Sequence, residues 1–460
     1  QIIQGIPNID DGITEYAAGV ETDQLSISGI ASLSNFLLEN HPKLKKANED
    51  IGTIMSSKML LKGDAIVTAF GVAGTEASDS KRLISLLEKL DLSAHSNGQC
   101  GKIGLGTSNI LSMACELLLN RSMESTFLLI EEPEAHVHAQ RQLRLIQSLQ
   151  TEAATSGVNQ QIIITTHSPL MASVISLEHI SIVKSAKVFS LRYGKTRLSK
   201  DDYVFLERYL DATKANLFFA KAIMMVEGPS EEFLIPTISK IIGKDFTEYG
   251  VSVVNVRGTG LRRFAKILQR ADAGETLDIR VSCMTDRDVM PNCAPAICID
   301  QRYSDIALWP EKEKRNWKAE CDFISQNERD LYLERILERA NGQRVKTFVA
   351  NHWTFEYDLA YAGLADELIE AIVAVRYESK NREQRIKDIQ KKCEEFPDNE
   401  SKSAYLYSFF SLKGTSKAEV AQHLSFILET KYASDPKALC ERLPPYIRDA
   451  INYVTEQEDA

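Results

Sequence analysis

The sequence predicts an α/β protein in which two parallel-sheet units are followed by a helical C-terminal region. Three observations lead there. Residues 101–169 pass from a glycine turn into a helix, the apolar strand TFLLI, a polar-faced helix and a second apolar strand, QIIIT, an order that implies parallel neighbours. Residues 222–285 repeat that logic with AIMMV, VSVVNV and DIRVSCM as strands. Beyond Leu331 the apolar positions recur mostly with helical period.

Taken in order, the first hundred residues read as mixed strands and turns with one charged helical stretch near 35–60 and turn signals at Gly71, Gly74 and Asn97-Gly98. The helix after Gly101 carries Leu111, Cys115 and Leu118 on one face. TFLLI, expected as a buried strand, ends in Glu131-Glu132-Pro133-Glu134. A helix from about Ala139 to Gln150 leads to QIIIT, also expected buried, which ends in Thr166-His167-Ser168-Pro169. Residues 180–215 are charged and rich in short strands. The second unit then runs through AIMMVE, a helix from about Ser230 to Ile242, VSVVNV, the glycines Gly258 and Gly260, a helix through Arg270, and DIRVSCM. RVKTFVANHWTFEYDL reads as a separate strand-like piece, and helix dominates from about residue 364. There is no internal repeat.

At 460 residues with 44% hydrophobic content the chain is long enough for two or three cored domains. No stretch approaches the roughly 18 to 20 apolar residues of a membrane span, and no secretory start is visible, so a cytoplasmic protein is expected. The eight cysteines contain no Cys-x-x-Cys pair, which suits reduced structural thiols. The net charge of −10 disfavours a protein that coats nucleic acid, yet a groove needs only a local basic strip. Arg257, Arg262, Arg263, Lys266 and Arg270 bracket one helix, and Lys312, Lys314, Arg315 and Lys318 surround Trp317. Either run is solvated surface or, beside an acidic metal cluster, a set of phosphate contacts.

Two acidic clusters stand at strand ends: Glu227-Gly228-Pro229-Ser230-Glu231-Glu232 and Asp286-Arg287-Asp288. Open α/β sheets place ligands beyond the carboxyl ends of their strands. In extended chain Asp286 and Asp288 would face one side and Arg287 the other, so two hard oxygen donors would converge on one ion. That is the chemistry of metal-dependent phosphoryl transfer.

LLIEEPEAHVH followed about thirty residues later by IIITTHSP resembles the second half of an ABC-type ATPase head, as in SMC-like proteins. The resemblance implies that Glu131 orients the Mg²⁺ water, Glu132 is the general base, and His167 is the switch histidine. It also implies that Ser108, in GLGTSNILSMA, meets ATP held by a partner head. The sequence departs from the pattern twice. Glu131 stands where Asp is usual, and no G-x-x-x-x-G-K-[ST] loop exists in these residues to cradle the β- and γ-phosphates. Since the sequence starts at Gln1, an N-terminal part of the head is expected to be missing. The alternative is a head that no longer binds ATP.

The second unit resembles a Toprim domain, with Glu227 as its single glutamate and Asp286 and Asp288 as its Asp-x-Asp. Glu231 either shares the ion of Glu227 or supports the helix N-terminus. Met290 stands where topoisomerases and primases carry a third Asp, which points to the nuclease branches. An ABC head followed by Toprim resembles the OLD (overcoming lysogenization defect) family over residues 101–430. That resemblance implies a second metal site at Glu356 and a basic residue at Lys417, with Lys413 a near competitor. Asp358 is either a supporting residue or an N-terminal helix charge. His136, His138 and His352 read as packing or surface residues.

The domain expectation is therefore a partial ABC-type ATPase domain at 1–180, a connector at 181–217, a Toprim nuclease domain at 218–363, and a helical region at 364–460 completing the nuclease unit. The expected activity is two-metal DNA endonucleolysis with Mg²⁺ or Mn²⁺, Lys417 neutralising charge at the transition state and ATP gating access. DNA, a homo-oligomer through the heads and a defence-system protein are the implied partners, and phage defence the implied setting. The rival expectations are an SMC-like DNA-tethering ATPase without cleavage and a topoisomerase-type enzyme using one of fifteen tyrosines.

Overall fold

The computed structural model describes residues 36–61, 66–72, 90–96, 99–100, 104–120, 125–154, 159–258, 260–411 and 414–456. The chain divides into two compact units between Met171 and Ala172. In the first, helix α1 (Pro42–Ile54) starts on a proline, whose missing N–H costs nothing in a first turn, and continues as a wider turn through Met59. Strand β1 (Ile66–Val72) pairs antiparallel with β2 (Leu90–Ser96), which pairs with the short β3 (Gln99–Cys100). Helix α2 (Leu105–Asn120) follows. Its Gly106 is tied to the motif loop by contact, because a Cβ there would lie 2.2 Å from the carbonyl oxygen of His136. Strand β4 (Ser125–Glu131) and strand β5 (Asn159–Thr165) are parallel and joined through helix α3 (Ala139–Ala153), with Glu131 opposite Thr165.

Leu145 and Leu149 of α3 pack with Ile110, Ala114 and Leu117 of α2 and with Ile130 of β4. The expectation of fully buried strands needs correcting. Among the described residues one face is covered: Ile130 is buried, whereas Phe127 and Leu129 are exposed. Alternation along a strand sends successive side chains to opposite faces, and this two-stranded pair is covered by helices on one of them.

The second unit is built on a four-stranded parallel sheet in the order β13 (Val345–Val349), β10 (Arg280–Thr285), β8 (Ala222–Val226), β9 (Val251–Asn255). Before it come the antiparallel hairpin β6 (Ser181–Lys184) and β7 (Lys187–Ser190) and helix α4 (Lys200–Tyr209). A capping box between Ser199 and Asp202 starts α4. Between β10 and β13 in the chain, β11 (Val289–Met290) and β12 (Lys318–Ala319) form a small parallel pair. Helix α5 (Pro229–Ile241) follows β8, α6 (Leu261–Ile267) follows β9, and α7 (Gln326–Glu338) precedes β13.

The central strand explains how the layers form. AIMMV is apolar throughout, as a strand covered on both faces must be. Ala222, Met224 and Val226 point into a core shared with the C-terminal helices, while Ile223 and Met225 point into a core shared with Leu191, Leu206 and Leu217. Residues 181–217, read from sequence as a connector, thus cover one face of this sheet. Truncating a fully buried side chain here, as in Met224→Ala, should cost about 2–5 kcal/mol.

Two further expectations are corrected. RVKTFVANHWTFEYDL is not one strand: β13 stops at Val349 and helix α8 (Phe355–Leu359) opens at an N-cap Thr354. The basic run around α6 is not a free strip, since Arg263 and Lys266 pair with Asp202 and Arg270 is buried against the Ser190 carbonyl and Glu275. Arg315 is likewise committed, paired with Asp322 and set over the rings of Trp309 and Trp317.

Candidate functional site

In the first unit the residues expected around ATP collect where β4 and β5 end. The backbone amide of Glu132 donates to the carbonyl of Thr165 at 2.9 Å, and Glu132 holds φ 41°, the left-handed region that non-glycine residues rarely occupy. Its Oε1 lies 3.5 Å from His167 Nε2, both side chains being exposed. Glu134 joins the two motifs. Its Oε1 accepts from Thr166 Oγ1 at 2.8 Å and from the His167 amide at 2.7 Å. Glu131 and Glu132 line a cavity of about 610 Å³ with Asn109, Ser112 and Thr165. Ser108 is exposed in the first turn of α2.

In the second unit parallel pairing carries every strand end to one edge of the sheet. Glu227 follows β8, Asp286 follows its neighbour β10, and Glu356 lies in α8 beyond β13 on the other side of β10. Thr285 Oγ1 donates to Glu227 Oε1 at 3.0 Å. Asp286 Oδ1 accepts the Phe355 amide at 2.9 Å, so it caps α8 and ties the Asp-x-Asp turn to Glu356. Glu356, buried, accepts from Ser230 Oγ at 2.8 Å and from Lys417 Nζ at 2.8 Å.

Lys417 opens helix α9 (Lys417–Tyr432). A cation is disfavoured at a helix N-terminus, so the neighbouring carboxylates account for its charge there. Its ammonium also lies 5.2 Å from the centre of the Tyr407 ring. Lys413 lies outside the described residues.

Electrostatics follow from this crowding. Burial, with Asp288 and Glu231 adding to it, pushes the Glu227 carboxyl up to about 7 against the pull of the Thr285 hydrogen bond. Burial and Glu356 push Glu231 up to about 7 as well. Asp286 is raised well above the carboxylate range by burial, then by Glu356 and Glu231. Lys417 is raised despite its burial, because Glu356 favours the ammonium. The Tyr446 hydroxyl is buried without a hydrogen-bond partner, among Asp358, Asp286, Glu231 and Glu356.

Sequence reasoning is corrected at one point of geometry. The strand ends at Thr285 and Asp288 takes φ 56°, so Asp286 and Asp288 are not equivalent positions of extended chain. Asp286 turns inward and Asp288 is exposed. Asp358 accepts from the His352 amide at 3.2 Å and faces His352 Nδ1 at 3.1 Å. Among the described residues no three acidic, His or Cys side chains stand close enough to hold one ion as they are. The donor chemistry nonetheless fits a hard dication: oxygen donors, largely buried, whose repulsion Lys417 offsets only in part.

Thr285, Ser230, Tyr407 and Tyr446 escaped the sequence reading. Thr285 and Ser230 adjoin the motif carboxylates and were within reach; the tyrosines carry no local signal.

Residues 218–288 match the family described as overcoming lysogenization defect protein-like, TOPRIM domain, and residues 9–172 match AAA ATPase domain. Among curated proteins the chain is 22% identical over 404 residues to Endonuclease GajA of Bacillus cereus (strain HuB5-5), covering 77% of this chain and 53% of that protein. It is 26% identical over 148 residues to the uncharacterized protein YbjD of Escherichia coli (strain K12), covering 31% of this chain and 25% of that one. It thus spans about half the length of the first relative and a quarter of the second. Among solved structures, the C-terminal region of the Burkholderia pseudomallei OLD protein aligns at 23% identity, with 52% of this chain, 98% of that one and a TM-score of 0.32. The corresponding region from Xanthomonas campestris pv. campestris aligns at 21% identity, with 52% and 95% coverage and a TM-score of 0.31. The chain thus joins a match to an AAA ATPase domain, over residues 9–172, to a match to an OLD-like Toprim domain, over residues 218–288, in the order the sequence predicts.

Proposed function

We infer that this chain is a divalent-metal-dependent DNA endonuclease whose cleavage centre lies at the Toprim sheet edge and whose ATPase domain regulates it. The observation that carries the reading is the gathering of Glu227, Asp286 and Glu356 at one edge, with Lys417 on the last of them. The curated relative named as an endonuclease supports the reaction class.

Glu227, Glu231, Asp286, Asp288 and Glu356 would hold Mg²⁺ or Mn²⁺. When bound, the metal supplies positive charge for the phosphate oxygens and a water of lowered pKa. Asp286 positions the pair of acidic segments, since its bond to the Phe355 amide fixes Glu356 relative to the end of β10. Thr285 holds one oxygen of Glu227 and leaves the other for an ion. Lys417, protonated at neutral pH, would neutralise charge developing on the scissile phosphate. In the ATPase domain Glu131 would orient the Mg²⁺ of ATP, Glu132 would act as general base, His167 would sense the γ-phosphate, and Ser108 would face the partner head.

The domain scheme of an ATPase at 1–180, a connector at 181–217, a Toprim domain at 218–363 and a completing helical region at 364–460 belongs to this proposal. So do head-to-head homo-oligomers, a cytoplasmic location and a role in phage defence with a partner protein. Among the described residues no helix is long and apolar enough to cross a membrane.

The test is supercoiled plasmid incubated with the protein and Mg²⁺ or Mn²⁺, with and without ATP. Nicked or linear products, lost in Asp286→Asn, are expected. Intact plasmid with DNA binding retained would favour a tethering ATPase, and a trapped covalent adduct would favour a topoisomerase-type reaction.

A further inference from the structure

Of the basic run around α6, the ion pairs described above absorb Arg263, Lys266 and Arg270. Arg257 is different. It is exposed, and among the described residues it makes no ion pair. Its backbone holds φ 52°, followed by Gly258 at φ 76°. An arginine in the left-handed region is unfavourable and persists only where the surroundings impose it.

Here they do. The Arg257 amide donates to Asn255 Oδ1 at 2.9 Å, and Asn255 Nδ2 in turn donates to Glu232 Oε2 at 2.8 Å. The Gly258 amide donates to the Glu227 carbonyl at 3.0 Å. The turn is therefore indexed to the strand end that carries Glu227. Both amides are used in building it, and among the described residues the Arg257 guanidinium has neither a hydrogen-bond nor an ion-pair partner.

The turn borders a cavity of about 400 Å³ whose lining includes Glu227, Glu232, Lys214, Asn255, Arg257 and the apolar Val253. Lys214 is buried and paired with Asp211, so one cation is fixed in the wall and Arg257 remains at the rim. A space of this size, part apolar, with Glu227 and the Asn255-bound Glu232 in its wall and Arg257 at its rim, suits one nucleotide unit whose phosphate lies at the arginine. A planar guanidinium suits its phosphate.

We propose that this cavity is a subsite for the nucleotide next to the scissile phosphodiester, with Arg257 receiving that nucleotide's phosphate. The proposal rests on the nuclease reading of the adjoining carboxylates. Arg257 is a binding residue here, and the strained turn exists to present it.

The experiment measures binding of a fluorescent 30-base-pair duplex by the full chain in Ca²⁺, between 50 and 200 mM salt, alongside plasmid cleavage in Mn²⁺. Arg257→Ala and Arg257→Gly should each weaken binding about tenfold at the low-salt end and reduce the slope of log affinity against log salt by about 1. Arg257→Lys should restore most of the slope. Arg257→Gly should keep or raise Tm, because glycine accepts φ 52° without strain, which separates a binding loss from misfolding. Unchanged affinity and slope in Arg257→Ala and Arg257→Gly, with parental cleavage, would overturn the subsite and leave the nuclease reading standing. Loss of binding in these variants, with no cleavage by the parent, would sink the nuclease reading and keep Arg257 as a phosphate contact.

Discussion

Replacing Glu231 by Gln should stabilise the metal-free protein at alkaline pH and cost it the stabilisation that metal brings. Glu231 ordinarily titrates near 4.5 and is held near 7 in the fold. The folded state therefore binds more protons than the unfolded chain across that interval, and stability is lost as pH rises from about 4.5 to about 7. A tenfold change in proton affinity is worth about 1.4 kcal/mol, which caps the cost of the charged side chain at roughly 3 kcal/mol by pH 8. Glu356 shares the repulsion and the side chain can relax, so about 1–3 kcal/mol is expected. For a unit of this size that is a rise of roughly 2–6 °C in Tm for Glu231→Gln in EDTA at pH 8. About one pH unit below 4.5 and lower, where the carboxyl is protonated in both states, the two proteins should melt together.

Adding Mn²⁺ at about a hundred times its dissociation constant should raise the parent by roughly 2.7 kcal/mol and Glu231→Gln by less. The assay is a thermal melt by circular dichroism across that pH range. A Glu231→Gln variant that melts at or below the parent at pH 8 in EDTA would refute the reasoning, because it would mean that the acidic edge is not under electrostatic strain.

Three shorter predictions follow the same logic. Lys417→Ala should lower plasmid cleavage strongly while changing duplex affinity by no more than about twofold, since one phosphate contact is a small part of the interface. It should also destabilise the metal-free unit by roughly 1–3 kcal/mol, because Glu356 is left buried with Ser230 as its partner, as a denaturant melt would register. Glu134→Ala removes the acceptor of both Thr166 Oγ1 and the His167 amide, and should cost the first unit about 1–3 kcal/mol by the same assay. Steady-state phosphate release by this chain should be negligible, because no phosphate loop accompanies Glu132 and His167 in its sequence.

The alternation of strand and helix was legible because parallel strands covered on both faces, such as AIMMV, read as unbroken apolar runs bounded by turns. Glu227 and Asp286 were legible for a related reason: parallel topology alone sends both to one sheet edge, however far apart they lie in the chain. Glu356 and Lys417 were reached through resemblance, and no local pattern could have paired them, since they lie sixty-one residues apart and meet through the packing of separate helices. The failures are local. Period-two reasoning ran past Thr285 into a turn where Asp288 adopts φ 56°. The basic run was open to two readings, solvated surface or phosphate contacts, and its ion pairing was in neither, because Asp202 is sixty-one residues upstream of Arg263. Burial on one face of β4 could not be foreseen, because TFLLI has the composition of a strand covered on both.

The most direct test of the account measures Mn²⁺ binding by electron paramagnetic resonance and plasmid cleavage on the same samples of parent, Glu227→Ala and Asp286→Ala. If the strand-end carboxylates form one cation centre, the parent binds Mn²⁺ and cuts DNA, and each variant loses both together while remaining folded. A folded Glu227→Ala that still cuts DNA at the parental rate would contradict the account.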